Sequence, residues 1–210
     1  MKHGICEQMT PQALDDAGFD KAELRRQQVL DAAASCFRHA GFHAASMSAI
    51  AKAAGMSVGH IYHYFANKEA IIEAIIEQEQ HRQLEIINML LAAPNTMQAL
   101  IDHADQALAD SLDLKNSALN FEMIAEASRN PKVAEMMQRS NRVLHECGRL
   151  IISKGRVGLP PISDEDINAR CDLIISLFEG LSVRSISNPN INTAAVLPLL
   201  QSAIQQLVRS

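Results

Sequence analysis

The sequence has few aromatic residues and no tryptophan. Aromatics make up 4% of its 210 residues, and runs of aromatic or β-branched residues that would form strands are scarce. Alanine, leucine, methionine and glutamine are common instead, and these residues favour helices. The composition therefore predicts an all-α protein, and its 48% of hydrophobic residues are enough to build a packed core.

The sequence also lacks segments that would direct it to a membrane or out of the cell. The longest apolar run, residues 86–93, is far shorter than the roughly 20 residues that span a bilayer. The N-terminus has no basic segment followed by an apolar one, so we predict no signal peptide. The four cysteines lie far apart, at Cys6, Cys36, Cys147 and Cys171. This spacing predicts neither a zinc site nor a disulfide framework, and we expect a soluble cytoplasmic protein without membrane contacts.

Turn residues and helix-capping residues divide the chain. Residues 1–20 carry no sustained period and suggest a flexible leader. Helices are predicted from Glu23 to Gly41, over 47–54 after Ser46, over 58–65 after Ser57, and from Asn67 to about Ala93. Further helices are predicted over about 96–113 after Asn95 or Thr96, 116–128, 131–153 after Asn130, 164–187 after Ser163, and 193–208. Pro198 lies inside the last of these and should kink the helix or delay its start.

Two very short helices joined at Gly55-Met56-Ser57 have the proportions of a helix-turn-helix. Their inward positions, expected to pack against Leu30, Ala33 and Phe37, are Ile50, Met56, Ile61 and Phe65. Their outward positions form one exposed surface of Ser48, Ser57, Val58, Gly59, His60 and His63. The pattern predicts a compact module whose second helix presents polar side chains to a partner.

Charge is distributed unevenly along the chain. The formal net charge is −5, yet five basic residues face a single acid between residues 24 and 68. That segment therefore carries +4 and the remainder −9. A basic module beside an acidic remainder is expected when only one end of a protein contacts phosphates.

Residues across this module resemble the N-terminal signature of the TetR family of transcriptional repressors. They are Gly41-Phe42, Ser46, Ile50-Ala51, Ala54-Gly55-Met56-Ser57, Gly59, Ile61-Tyr62, Phe65 and Asn67-Lys68-Glu69. The match covers about a quarter of the chain. The resemblance implies a homodimer that places one recognition helix per subunit in adjacent major grooves of a double-stranded DNA operator. It also implies a helical C-terminal domain that binds a small inducer.

The resemblance assigns roles to individual residues. Tyr62 and Lys68 match positions that contact phosphates, and Ser46 matches the hydroxyl residue that caps the second helix and contacts phosphate. His60 and His63 fall where the family varies and contacts bases. The predicted DNA-binding residues are Ser46, Ser48, Ser57, Val58, Gly59, His60, Tyr62, His63 and Lys68.

The sequence departs from the family at Val58, where Lys or Arg is frequent. The departure removes one polar contact, which an apolar contact with a thymine methyl group can replace.

Other interpretations stay open for the same module. The His60 and His63 pair has the spacing of two metal ligands without a third, and Tyr62 has the alternative of a core position. Arg25 and Arg26 are either phosphate contacts or a solvated face.

A cluster of aromatic, methionine and acidic residues predicts a ligand pocket in the C-terminal part. Its members are Phe121, Glu122, Met123, Glu126, Met137 and Phe178. Methionines adapt to varied ligand shapes, and two carboxylates one turn apart in apolar sequence suit a hydrophobic, cationic inducer. Two alternatives are that these apolar residues are core and that Glu126 pairs with Arg129 at the surface.

Two apolar stripes near the C-terminus predict the dimer interface. They consist of Leu173, Ile174, Leu177 and Leu181, followed by Val196, Leu199, Leu200, Ile204 and Leu207. Pairing with the same stripes of a second subunit would form a four-helix seam. The alternative is that both stripes pack within their own subunit.

The chain has no glycine-rich phosphate loop, G-x-S-x-G or HExxH motif, so we expect neither enzymatic activity nor a cofactor or bound metal. We predict a ligand-responsive repressor with a leader (1–20), a helix-turn-helix domain (21–68) and a ligand-binding and dimerisation domain (69–210). The family resemblance makes a drug efflux gene the expected target. A DNA-binding activator and a non-inducible helical dimer remain as alternatives.

Overall fold

Residues 16–210, which the computed structural model describes, form ten helices and no strand. The predicted all-α class is therefore confirmed. The helices are α1 (Asp16–Ala44), α2 (Met47–Ala53), α3 (Val58–Tyr64), α4 (Lys68–Ala92), α5 (Thr96–Asp102), α6 (Ala104–Leu112), α7 (Leu114–Ala127), α8 (Pro131–Gly155), α9 (Asp164–Ser187) and α10 (Thr193–Arg209).

Helix α1 is interrupted near its end at Gly41, as the sequence predicted. Gly41 has a φ of 76° and a ψ of 162°, a backbone conformation that a residue with a Cβ rarely adopts. The start of α1 was predicted seven residues too late, because the helix already begins at Asp16. Residues 1–15 of the predicted leader lie outside the described residues.

The predicted caps place most helix boundaries correctly. Side-chain oxygens of Ser46, Ser57, Asn67, Asn95, Asn130 and Ser163 each accept a hydrogen bond from a backbone N–H in the first turn of the following helix. The helix predicted over 96–113 is wrong, since the chain breaks at His103 into α5 and α6.

Helix α10 starts at Thr193 without delay although it contains Pro198. Pro198 has no N–H to donate to the carbonyl of Ala194. Ala194 is exposed, so water can hydrogen-bond to this carbonyl instead.

Two hydrophobic cores organise the molecule. The first joins α1, α2, α3 and the start of α4 to Met123 of α7 and Val133 of α8. The second packs α5 and α6 against the end of α8 and the helices α9 and α10. Helix α8 therefore contributes to both cores, and the helix-turn-helix is built directly onto the helical part of the protein.

A buried arginine closes the second core at the end of α10. The guanidinium of Arg156 donates to the carbonyl oxygens of Val208 and Ser210, both at 2.7 Å, and to that of Pro160 at 3.0 Å. A cation at this position also interacts favourably with the C-terminal end of the helix dipole. The loop after α8 and the last turn of α10 are thereby held together.

Candidate nucleic-acid interface

Helices α2 and α3 meet at the predicted turn. Gly55 has a φ of 64°, and the N–H of Met56 donates to the carbonyl of Ala51 at 2.9 Å, so the chain reverses direction tightly. Ile50 and Ile61 are fully buried against Phe37 and its neighbours in the first core. The inward positions predicted for the helix-turn-helix are confirmed, because Phe65 is also buried and Met56 packs against the same core.

The polar side of this module faces solvent. Every predicted DNA-binding residue except the half-buried Lys68 is exposed, namely Ser46, Ser48, Ser57, Val58, Gly59, His60, Tyr62 and His63. Tyr62 is 52% exposed, so the alternative of a core aromatic at this position is wrong. The side chains predicted to contact DNA are therefore accessible to a partner.

Two serines stand together at the start of α2. The hydroxyl of Ser46 accepts from the N–H of Ala49 at 3.1 Å and lies 2.8 Å from the hydroxyl of Ser48. Free backbone N–H groups and hydroxyls at a helix N-terminus are suited to binding an anion such as phosphate. Both hydroxyls are exposed at this helix end.

The two histidines of α3 are arranged around Tyr64, which sequence reasoning missed. The Tyr64 ring lies 5.4 Å from the His60 ring and 5.3 Å from the His63 ring, and its hydroxyl is 3.4 Å from His60 Nε2. The i, i+4 spacing of His60 and Tyr64 was the available signal. No group of three metal-binding side chains occurs between residues 16 and 210. Tyr64 therefore contacts the rings of both histidines.

Lys68 has contacts that its sequence position did not predict. Its ammonium donates to the carbonyl of Phe42 at 2.7 Å, lies 3.4 Å from that of His43, and sits 4.4 Å from the centre of the Phe42 ring. An ammonium has three donors, so one N–H is left for a phosphate. Lys68 thus holds the end of α1 while it faces the candidate interface.

The two arginines of α1 are also held by neighbours. The Arg25 guanidinium donates to Gln28 at 2.9 Å, and Gln28 in turn donates to the carbonyl of Ala54 at 2.7 Å. Arg26 lies 5.2 Å from the centre of the Phe65 ring and 3.5 Å from a carboxylate oxygen of Glu23. Both arginines therefore have partners within the chain. Phosphate contact and a solvated face both stay open as interpretations.

The residues predicted for the ligand pocket are distributed over the two cores. Met123 is buried in the first core, Met137 packs against it, and Phe178 packs against the second core. Phe121 is half-buried on α7. Glu126 does pair with Arg129, but the carboxylate is buried rather than at the surface.

The two carboxylates that suggested a cationic inducer instead face the end of α1. Glu126 Oε2 lies 3.0 Å from Arg129 Nε and 3.2 Å from His43 Nε2. A carboxylate oxygen of Glu122 lies 3.3 Å from the place of a Cβ on Gly41. The charge of Glu126 is therefore already balanced by an arginine one turn away, the partner that the alternative interpretation named.

An open cleft of about 280 Å³ lies between α4 and α8. It is lined by Glu73, Ile76, Glu77, Gln80, Met136, Arg139 and Ser140. The Arg139 guanidinium lies 2.6 Å from Glu73, and this hydrogen bond raises the pKa of Arg139. Sequence reasoning missed the charged residues of this cleft, because no local motif brings together two helices that are more than fifty residues apart.

The two apolar stripes predicted for dimerisation are partly exposed and partly buried. Leu173, Leu177 and Leu199 are exposed, with Leu199 at 72%. Leu200 and Ile204 are buried in the second core, and Ile174, Leu181 and Val196 pack against it. For these latter residues the alternative, packing within one subunit, is correct. Val183 and Ile186 of α9 are also exposed apolar residues.

These features define the class of protein, a helix-turn-helix domain built on a larger helical domain. The model of the family described as "Bacterial regulatory proteins, tetR family" matches residues 29–75. The helix-turn-helix part of the chain therefore matches the TetR family, as the signature residues indicated. No helix in residues 16–210 is both long and apolar enough to span a bilayer.

Relatives extend the match beyond the helix-turn-helix. The transcriptional regulator UidR of Escherichia coli K12 is 34% identical over 126 residues, which are 60% of this chain and 63% of UidR. The chain thus aligns with less than two thirds of this relative. BetI of Yersinia pestis (strain Pestoides F), also a transcriptional regulator, is 27% identical over 87% of this chain and 92% of BetI.

The solved structure of GusR from Salmonella enterica has the same fold. It superposes with a TM-score of 0.70 at 29% identity and covers 87% of this chain and 96% of GusR. The curated relatives are named as transcriptional regulators, and TetR-family regulators are not enzymes, in agreement with the expectation from the sequence.

Proposed function

We propose that this chain is a ligand-responsive transcriptional repressor that binds a palindromic operator as a homodimer. The observation that carries the proposal is the exposed surface of α2 and α3, which packs on the first core and belongs to a segment of net charge +4, residues 24–68. Phosphate contacts from Ser46, Tyr62 and Lys68 would fix the position of α3 in the major groove. His60 and His63 would then contact base edges.

The homodimer is supported by the apolar face that α9 and α10 leave exposed. Leu173, Leu177 and Leu199 lie on this face, and two such helix pairs form a four-helix seam with two-fold symmetry. Two recognition helices related by this symmetry match a palindromic site. Each subunit alone would bind with only half of the contacts.

A small hydrophobic ligand is the proposed inducer. It can release DNA only by binding more tightly to a conformer in which the two recognition helices have the wrong spacing. The cleft between α4 and α8 is a candidate site, because α4 begins at Lys68 beside the DNA-binding surface. A cationic inducer would pair there with Glu77, since Glu73 is already bound to Arg139.

The regulated gene is proposed to encode a drug efflux pump, on the family resemblance alone. A divergently transcribed pump gene beside this gene, and its derepression when the regulator is deleted, would support the proposal. Unchanged pump expression in the deletion strain would contradict it.

Measuring DNA affinity against salt concentration tests the interface. Lys68→Ala should weaken binding to all sequences alike and reduce the salt slope by about one unit, because one phosphate contact is lost. His63→Ala should change which base is preferred and leave the salt slope unchanged. Fluorescence anisotropy with operator variants from the upstream region measures both effects.

Lys52→Ala is the matched control for the lysine, because Lys52 is an exposed α2 residue outside the proposed contact set. Loss of a single-base preference in Lys68→Ala, with the salt slope intact, would contradict the assignment. Sequence-independent weak binding by the wild type would contradict operator recognition itself.

A further inference from the structure

Tyr64, the last residue of α3, differs in burial from the two histidines of the same helix. His60 and His63 are exposed, whereas Tyr64 is half-buried and packs against the first core. A side chain that packs against a core loses most of its rotamer freedom, so its ring has a defined place. Tyr64 is therefore an anchored aromatic residue beside two exposed side chains that are proposed to contact base edges.

Both histidine rings contact this tyrosine. The ring centres of His60 and Tyr64 lie 5.4 Å apart, with an angle of 40° between the ring planes. The ring centres of His63 and Tyr64 lie 5.3 Å apart at 80°, which is an edge-to-face arrangement. Aromatic rings favour such tilted and edge-to-face contacts at centre distances of about 4.5–7 Å. One anchored ring thus gives an attractive contact to each imidazole.

His60 has two further contacts that limit its movement. Its backbone N–H donates to the hydroxyl of Ser57, the N-cap of α3, at 3.2 Å. The hydroxyl of Tyr64 lies 3.4 Å from His60 Nε2. A phenol hydroxyl can donate or accept, so this contact forms with either tautomer of the imidazole and with its protonated form. The contact between Tyr64 and His60 therefore does not depend on the charge of the histidine.

The order of an exposed side chain affects how well it discriminates between bases. Fixing a mobile side chain on binding costs conformational entropy, which lowers the affinity for the correct base. Each base pair presents a different pattern of donors and acceptors in the major groove, so an imidazole that rotates freely can also bond to another base. Contacts with the anchored ring of Tyr64 limit both effects before DNA is bound.

We propose that Tyr64 is a positioning residue that orients His60 and His63 and thereby sets how strongly the protein discriminates between operator bases. The proposal rests on the proposed function, because it requires that both histidines contact base edges. Tyr64 acts through the two imidazoles and is not itself a base contact. A single substitution of Tyr64 therefore changes the preference at the base positions of both histidines.

The test measures the affinity of the full-length protein for operators with single base changes. Tyr64→Leu keeps an apolar side chain for the first core but removes the ring. The preference at the bases contacted by His60 and His63 should then fall by about two- to tenfold. Tyr64→Phe is the matched control, because it keeps both ring contacts and loses only the hydroxyl, and it should retain most of the preference. Equal weakening of all sequences by Tyr64→Phe would indicate a phosphate contact through the hydroxyl and would overturn the proposal.

A double-mutant cycle separates positioning from a purely structural role. In the His60→Ala background, Tyr64→Leu should have no further effect at the base that His60 contacts, because no imidazole is left to orient. Its effect at the base of His63 should remain. A loss of affinity for all sequences alike in both backgrounds would mean that Tyr64→Leu only damages the first core, and the positioning role would be wrong.

A DNA-free measurement distinguishes this inference from the proposed function. NMR coupling constants of the His60 side chain should report one dominant χ1 rotamer in the wild type and averaging in Tyr64→Leu. Unchanged rotamer populations would overturn the positioning role whether or not the protein binds DNA. Averaging in Tyr64→Leu, together with a wild type that prefers no DNA sequence, would support the positioning role and contradict the proposed function.

Discussion

Burial controls the chemistry of Cys171. Its thiol lies between α8 and α9, where desolvation and the neighbouring Asp172 raise its pKa to about 11. The thiol therefore stays protonated at pH 8, and the thiolate is the reactive form. We expect iodoacetamide to label Cys171 much more slowly than the half-buried Cys36, as measured by peptide mass spectrometry after timed quenching. Comparable labelling rates in the native protein would contradict this assignment.

Individual side chains were predictable where local spacing decided their environment. Ile50, Ile61 and Phe65 were assigned to the core from helical period alone, and Tyr62 to the surface from the family signature. The contact of Glu126 with His43 was not predictable, because the two residues lie 83 positions apart in the sequence. The hydrophobic periodicity of a helix identifies its buried face. It does not indicate which distant helix packs against that face.

At the scale of elements, α8 and α9 cross closely at Gly148. A Cβ at this position would lie 2.8 Å from Sγ of the buried Cys171. Gly148→Ala should therefore lower the free energy of unfolding by about 1–3 kcal/mol, since neither helix can give way without disturbing the second core. Urea denaturation followed by circular dichroism measures the change.

Gly59→Ala is the control for this substitution, because nothing lies within 4 Å of its Cβ position. It should leave stability unchanged or raise it by up to about 1 kcal/mol, as for alanine in a helix interior. Combining Gly148→Ala with Cys171→Ala should recover part of the loss by removing the sulfur. A fully stable Gly148→Ala would show that the crossing can relax.

Helix boundaries were predicted best where a side chain caps them. Ser46, Ser57 and Ser163 each accept a hydrogen bond in the first turn, so a local chemical signal existed in the sequence. The break at His103 has no side-chain cap, and α5 and α6 therefore appeared as one helix. The two short helices pack against α8, α9 and α10, and these are contacts between distant segments that no local signal reports.

At the scale of the whole molecule, the exposed apolar face of α9 and α10 predicts a dimer. Leu177→Arg with Leu199→Arg should give a folded monomer that no longer binds a palindromic operator, because both leucines are exposed within a subunit. Leu200 is unsuitable, since it is 6% exposed and its replacement by arginine would unfold the second core. Sedimentation velocity and circular dichroism measure assembly and folding.

Met89→Arg is the control for the added charge, because Met89 is an exposed apolar residue on α4. It should leave the sedimentation coefficient of the wild type unchanged. A dimer that survives the double substitution on α9 and α10 would place the interface on another surface.

The first core also constrains how this protein can be recombined. Because Met123 and Val133 pack in the same cluster as Phe37 and Ile61, a chimera joined after residue 68 would cut through a shared interior. The transplanted DNA-binding domain would lose the residues of α7 and α8 against which it packs. The remaining part of the protein would expose Met123 and Val133 to water. A functional chimera has to include the matching surface of α7 and α8. DNA specificity is therefore transferred with a packed unit and not with one continuous stretch of sequence.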